Sequence, residues 1–202
     1  MHIACLDLEG VLVPEIWINV AERTGIEELR LTTRDISDYD ELMTHRLRVM
    51  DAHGFRLSLI QSVIAEMGPL PGAPEFLGWL RERYQVVILS DTFYQFGMPL
   101  MAHLGYPTLL CHNLEVVDDR VVGYRLRQTD QKTKAVAALQ SLNTVVIAAG
   151  DSYNDTGMLT QADAGILFSP PDNVVAEFPQ FPVTRDYEQL AAAFEEASAR
   201  LA

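Results

Sequence analysis

At 202 residues, 49% hydrophobic and 21% charged, with no repeat or low-complexity tract, the chain is an ordinary globular sequence, long enough to bury a substantial core as one domain or as a core with a small insert. Fifteen basic residues against 28 acidic ones leave a net charge of -13, which argues against nucleic acid or an anionic membrane as partner and says little about a small phosphorylated one, since local charge decides that. No apolar run reaches membrane-spanning length, Asp7 and Glu9 stand where a secretion signal needs a basic start and a long apolar middle, and Cys5 and Cys111 sit in apolar strand-like contexts without Cys-x-x-Cys spacing, so a cytoplasmic protein with buried, reduced thiols is expected.

The chain opens on an apolar run that stops at Asp7, Glu9 and Gly10. It is too short for a helix and fits a central strand of a parallel sheet. Alternate residues of an extended strand face the same way, so Asp7 and Glu9 share a pocket if the strand persists that far. Pro14 and Glu15 then open a helical pattern over 16–24, closed by Gly25. A polar stretch follows over 32–37, then a long helix over about 38–53 stopped by Gly54, and another over 58–67 stopped by Gly68-Pro69. No strand signal interrupts this block, so residues 15–69 read as a small all-helical insert.

The next helix, 72–84, has Phe76, Leu77, Trp79 and Leu80 on its apolar face and leads into a strand at 86–89 that ends in Ser90-Asp91-Thr92. A helix over 93–104 ends at Gly105 and a third strand occupies 108–111. Segments 114–117 and 121–126, separated by Asp118-Asp119-Arg120, read as a β-hairpin on the sheet edge. Helix 131–142 carries Lys132 and Lys134. Strand 144–149 runs into Gly150-Asp151-Ser152-Tyr153-Asn154-Asp155, and helix 153–162, strand 164–168 and a terminal amphipathic helix over 186–199 complete the chain. The fold expected is α/β: a three-layer, Rossmann-like core with a parallel central sheet in 1–14 and 70–202, a helical cap in 15–69 and an edge hairpin. In such sheets the carboxyl ends of the strands line the ligand crevice, so three acid- or hydroxyl-bearing strand ends and a lysine can converge there.

An Asp-x-acid strand end, a Ser strand end, a Lys and Gly-Asp-x-x-x-Asp, in that order, resemble the four motifs of the haloacid dehalogenase superfamily. Within it the chain is similar over nearly its whole length to the phosphoserine phosphatase group, above all to its phosphoserine:homoserine phosphotransferase branch. The resemblance implies Asp7 as nucleophile, Glu9 as general acid and base, and Mg²⁺ held by Asp7, Asp151 and the backbone carbonyl of Glu9, an all-oxygen set suited to that hard cation. It implies Ser90, with Asp91, Thr92 and Asn154, on the phosphate side. Lys132 fits the motif better than Lys134 because Val136 follows four residues on. Asp155 orients the metal shell or the lysine, the competing reading being a first-turn acid favoured by the helix dipole. Glu15 and Arg46 resemble the residues that bind the substrate's ammonium and carboxylate, with Tyr39 as an aromatic neighbour, although Arg46 with Arg48 also reads as a solvated helix face.

Two positions depart from the group. Glu9 stands where Asp is usual, and Asp91-Thr92 stands where Gly-Gly is common. A carboxylate beside a phosphate pocket is expected to point away or to be protonated. His45, His53, His103 and His112 lack metal-ligand spacing and carry no expected role. The partner expected is a small phosphorylated amino acid, with a homodimer possible but not signalled. Two rivals stand: a phosphatase of another small metabolite, and a phospho-accepting signalling receiver, which has neither a helical insert nor an acid two residues after its aspartate.

Overall fold

The computed structural model describes every residue except 33, 34 and 37, so part of the expected polar stretch lies outside the described residues. The strands are β1 (His2–Leu6), β2 (Gln85–Phe93), β3 (Thr108–Val117), β4 (Arg120–Arg125), β5 (Val145–Gly150), β6 (Ala164–Phe168) and β7 (Val183–Thr184). The helices are α1 (Ile16–Thr24), α2 (Tyr39–Ala52), α3 (Leu57–Ala65), α4 (Ala73–Arg81), α5 (Tyr94–Met101), α6 (Gln131–Gln140), α7 (Thr156–Gln161), α8 (Asp172–Glu177) and α9 (Tyr187–Arg200).

Among the described residues the strands form one sheet in the order β4-β3-β2-β1-β5-β6-β7. All neighbours are parallel except β3 and β4. On β1, Ala4 and Leu6 join one apolar cluster while Ile3 and Cys5 join the other. Both faces of this strand are therefore covered, and its sequence reads as continuously apolar rather than alternating. Helices α4, α5 and α9 supply the first cluster and α6, α7 and α8 the second, which gives the three-layer α/β architecture. Chain order reverses between β1 and β5. The Asp7 amide donates to the Ala149 carbonyl at 3.0 Å, so Asp7 stands level with the end of β5 at the topological switch point, where ligands of open α/β sheets bind.

Helices α1, α2 and α3 lie between β1 and α4. They share the first cluster through Ile16, Val20, Met43 and Ile60. The edge hairpin grips them from outside. The Asp119 carboxylate accepts from the Ser58 amide at 2.9 Å and its carbonyl from the Leu57 amide at 2.8 Å, satisfying the start of α3, whose own Arg56 provides no side-chain cap. Arg120 pairs with Asp51, and the Tyr124 hydroxyl donates to Asp40. Asp118 and Asp119 both take positive φ, 48° and 63°, as a tight hairpin turn requires.

Four expectations change, the first being that the strand expected over 86–89 runs on as β2 through Ser90-Asp91-Thr92 to Phe93. The first strand stops at Leu6 rather than carrying on to Glu9. Segments 108–111 and 114–117 are one strand, β3, whose first half pairs with β2 and second half with β4. Helix 153–162 begins as a 3₁₀ turn, Tyr153–Asp155. The 3₁₀ turn Glu27–Arg30, α8 and β7 carry weaker signals, being only four, six and two residues long. Both cysteines are buried and unpaired, with thiols pushed up to about 12 by burial. No helix among the described residues is long and apolar enough to cross a membrane.

Candidate active site

A cavity of about 1090 Å³ opens over the carboxyl ends of β1, β2 and β5. Asp7, Glu9, Ser90, Asp91, Thr92, Lys132, Asp151 and Asn154 line it from the core, and Glu15, Tyr39 and Arg46 from the helical insert. The structure thus brings every sequence-predicted site residue to this cavity except Asp155, which is fully buried beneath it. Lys134 is exposed and donates to Thr129 Oγ1, away from the acids that hold Lys132.

Lys132, 3% exposed, is the hub. Its Nζ lies 2.9 Å from Asp7 Oδ1, 2.8 Å from Asp155 Oδ1 and 3.8 Å from Asp91 Oδ2. Burial alone would push its ammonium toward neutrality, but Asp155, Asp7 and Asp91 outweigh that and hold it well above its ordinary range. Asp155 Oδ2 accepts from the amides of Asp151 and Ser152 at 2.9 and 3.1 Å. Both its oxygens are thereby engaged, so it sets the loop that carries Asp151 and the tip of Lys132. A Cβ on Gly150 would fall 2.4 Å from the Asp155 side chain, which explains the glycine before Asp151.

Glu9 reaches the cavity by a turn, not by strand alternation. The amides of Leu12 and Val13 fold back to the Leu8 carbonyl and Gly10 sits at φ 77°. Glu9 Oε2 then accepts from the Ile16 amide at 2.8 Å, so this acid caps the N-terminus of α1. Burial first, then Glu15, push the Glu9 carboxyl up to about 7, while the Ile16 amide and Arg46 pull it back. Such a group exchanges protons readily near neutral pH.

On the opposite wall, Arg46 is buried rather than solvated, unlike the exposed Arg48. Its guanidinium lies 4.5 Å over the Trp17 ring and donates through Nη2 to the Leu31 carbonyl at 2.9 Å. Its Nε is buried without a hydrogen-bond partner among the described residues. Burial lowers it to about 10, which still leaves it charged at neutral pH.

Asp91 contradicts the expectation that it points away or is protonated. It faces Lys132, and Gln131 Nε2 donates to its Oδ1 at 3.1 Å. Burial pushes this carboxyl up, but Lys132 together with His112, Gln131 and Asn154 depresses it well below the usual range, so it is ionised. Three residues of the neighbourhood escape sequence reading: Trp17, His112 and Gln131. The one signal available is a histidine beside a buried cysteine in an apolar strand.

The family pattern of haloacid dehalogenase-like hydrolases matches residues 16–160. The chain belongs to this family. It is 65% identical over 201 residues to the phosphoserine phosphatase ThrH of Pseudomonas aeruginosa, covering 99% of this chain and 98% of that protein. It is 63% identical over 201 residues to a phosphoserine phosphatase of Pseudomonas syringae pv. tomato, covering 99% and 85%. Among solved structures it is similar to phosphoserine phosphatase from T. onnurineus, at 26% identity and TM-score 0.71 over 94% and 92% of the two chains. A phosphoserine phosphatase in apo form shares the fold at TM-score 0.77 and 19% identity, over 94% and 97%.

In this haloacid dehalogenase-like enzyme the acids at the switch point fit a hard divalent cation. Carboxylate oxygens of Asp7, Asp151 and Asp155 lie within 4.8 Å of one another. A Cβ on Gly10 would sit 2.6 Å from the Asp151 carboxyl, so glycine there lets Asp151 approach the loop after β1. Among protein groups alone, burial and then the neighbouring acids push Asp151 up to about 7 and Asp7 well above the carboxylate range. A divalent ion relieves that clustering of charge.

Proposed function

We propose that the chain performs Mg²⁺-dependent phosphoryl transfer through an aspartyl phosphate on Asp7, with phosphoserine as donor and water or homoserine as acceptor. Residues 15–69 act as the cap that reads the amino acid, and residues 1–14 and 70–202 as the core that does the chemistry. The observation that carries this reading is the placement of Asp7, with its ammonium partner Lys132, in the same cavity as Arg46 and Glu15. The two Pseudomonas phosphoserine phosphatases, at 65% and 63% identity, support the donor.

Asp7, Asp151 and the Glu9 carbonyl would hold Mg²⁺, which when bound offsets the negative charge of carboxylates and phosphate. Asp155 stays a support, since both its oxygens already accept from Lys132 and from the amides of Asp151 and Ser152. Contacts from Lys132 and from the Leu8 amide both fall on Asp7 Oδ1, which orients the carboxylate for attack by its other oxygen. That oxygen bonds to phosphorus as the phosphorus–oxygen bond to serine breaks, and protonated Glu9 gives its proton to the leaving alkoxide. Glu9 then removes a proton from water or from the homoserine hydroxyl. The new oxygen–phosphorus bond forms, the bond to Asp7 breaks, and phosphate or phosphohomoserine leaves.

Ser90, Thr92, Lys132 and Asn154 line the phosphate side, while Glu15 takes the substrate ammonium and Arg46 its carboxylate, with Tyr39 closing the wall. The same two anchors serve serine and homoserine, whose hydroxyls differ by one methylene, and Glu9 carries one methylene more than the aspartate it replaces. Phosphorus NMR on enzyme, phosphoserine and homoserine tests the acceptor. The expected result is phosphohomoserine beside inorganic phosphate, with Glu9→Asp shifting the ratio toward phosphate. Phosphate alone at saturating homoserine would reduce the protein to a phosphatase.

A further inference from the structure

We propose that Asp91 is a specificity-determining residue that competes with phosphate for its own binding donors, so that the site holds a phosphoryl group well only when an amino acid carries it. This rests on the reading above, in which Lys132, Asn154 and Ser90 receive the phosphate. Asp91 follows Ser90 where the β2–β3 register shifts between Leu89 and Phe93. Its Oδ2 lies 3.8 Å from Lys132 Nζ and 3.4 Å from Asn154 Nδ2, so the carboxylate faces two donors that an incoming phosphate requires.

The other oxygen is anchored from behind. Gln131 Nε2 donates to Asp91 Oδ1 at 3.1 Å and to the Ser90 carbonyl at 2.8 Å, while its Oε1 accepts from Arg127 Nη2 at 2.6 Å. That last contact fixes which end of the amide faces Asp91. His112, also buried, accepts at Nδ1 from the Arg127 amide at 3.0 Å, which leaves the ring proton on Nε2, 3.6 Å from Asp91 Oδ1. A neutral imidazole therefore already presents a donor to the acid. With Lys132 and these donors around it, Asp91 remains an anion, and its side chain is 37% exposed toward the cavity.

A phosphate dianion and this carboxylate cannot both take Lys132 and Asn154 without like-charge repulsion. Phosphoserine offsets that repulsion through Arg46 and Glu15. Inorganic phosphate has no such handles, and neither has a phosphate ester without an amino acid. The repulsive element thus sharpens selectivity for the donor and speeds loss of product phosphate.

Isothermal titration of inorganic phosphate into the Mg²⁺-loaded protein tests this. Asp91→Asn should tighten phosphate by about tenfold or more, whereas Asn154→Ala should weaken it. Asp130→Asn, an exposed acid lining the same cavity, should change affinity by less than about threefold, which separates a contact from bulk charge. If Asn154→Ala weakens phosphate but Asp91→Asn leaves it unchanged or weaker, or if Asp130→Asn gains as much as Asp91→Asn, the competition is wrong and the phosphate site stands. If phosphate affinity responds to neither Asp91 nor Asn154, phosphate does not bind here and the underlying reading falls with the proposal.

Discussion

The two walls of the cavity are built on opposite principles. On the core side Lys132 is surrounded by Asp7, Asp155 and Asp91, and Asp155 has both oxygens in use. On the insert side Arg46 has one short hydrogen bond to a carbonyl, an aromatic ring beneath it and a buried Nε without a partner among the described residues, while Glu15 is exposed. The first wall is over-determined, as in-line phosphoryl transfer demands. The second keeps donors in reserve, as recognition of a mobile amino acid demands. Chemistry should therefore fail all at once, and recognition by degrees.

The largest expected effect is on the core wall. Asp7→Asn keeps shape and removes the attacking charge, so turnover of phosphoserine should fall on the order of 10⁴-fold or more, with unchanged circular dichroism. Substantial residual turnover would detach Asp7 from the chemistry. On the insert wall, Arg46→Ala should cost phosphoserine about 1.5–3 kcal/mol in kcat/KM, roughly tenfold to hundredfold, and leave an aryl phosphate nearly untouched. Equal losses on both would make Arg46 structural. Trp17→Leu removes the ring beneath Arg46 without touching the substrate charge. It should raise KM for phosphoserine about fivefold to thirtyfold with little change in kcat, and Trp17→Phe should recover most of it. A loss in kcat instead would tie Trp17 to the core wall.

How far each wall was legible in the sequence follows the same division. Asp7, Ser90 and Asp151 announce themselves because an apolar strand run ends abruptly at each, and parallel topology then forces those ends together. Lys132 was separable from Lys134 only through the motif, since both lie in one helix. Glu9 reaches the cavity through a turn and a helix N-terminus, which no two-residue alternation encodes. Asp91 was misread because its partners, Gln131 and His112, lie 40 and 21 residues away and carry no local signal. Trp17, 8% exposed, carries no local signal that separates it from an ordinary apolar residue of helix 16–24, because its partner Arg46 lies on another helix. The helices of the insert were plain from Gly25, Gly54 and Gly68, whereas the contact of the hairpin with α3 depends on Asp119 and Ser58, 61 residues apart.

Another expected effect falls on stability rather than on turnover and sharpens the claim that the core wall takes a cation. Burial, Asp155 and Glu15 push Asp151 up to about 7 in the folded chain, against about 4 for an unfolded aspartate. Folded protein with its metal chelated thus binds a proton that unfolded protein lacks between about pH 4 and 7, and this acid destabilises the fold increasingly as pH rises through that window. Chelated Asp151→Asn should melt higher than chelated wild type at pH 8 and level with it near pH 4. Mg²⁺ should raise the melting temperature of wild type more at pH 8 than at pH 5. A variant that melts lower than wild type at pH 8 would mean that Asp151 is already compensated by protein groups.

The most direct test of the account is a rapid acid quench of enzyme mixed with Mg²⁺ and phosphoserine labelled in its phosphoryl group, followed by peptide mapping. The expected result is a transient covalent label on the peptide containing Asp7, released by hydroxylamine as an acyl phosphate is, and absent from Asp7→Asn. A label on another residue, or phosphoserine turnover at full rate with no protein-bound phosphoryl group at any quench time, would contradict it.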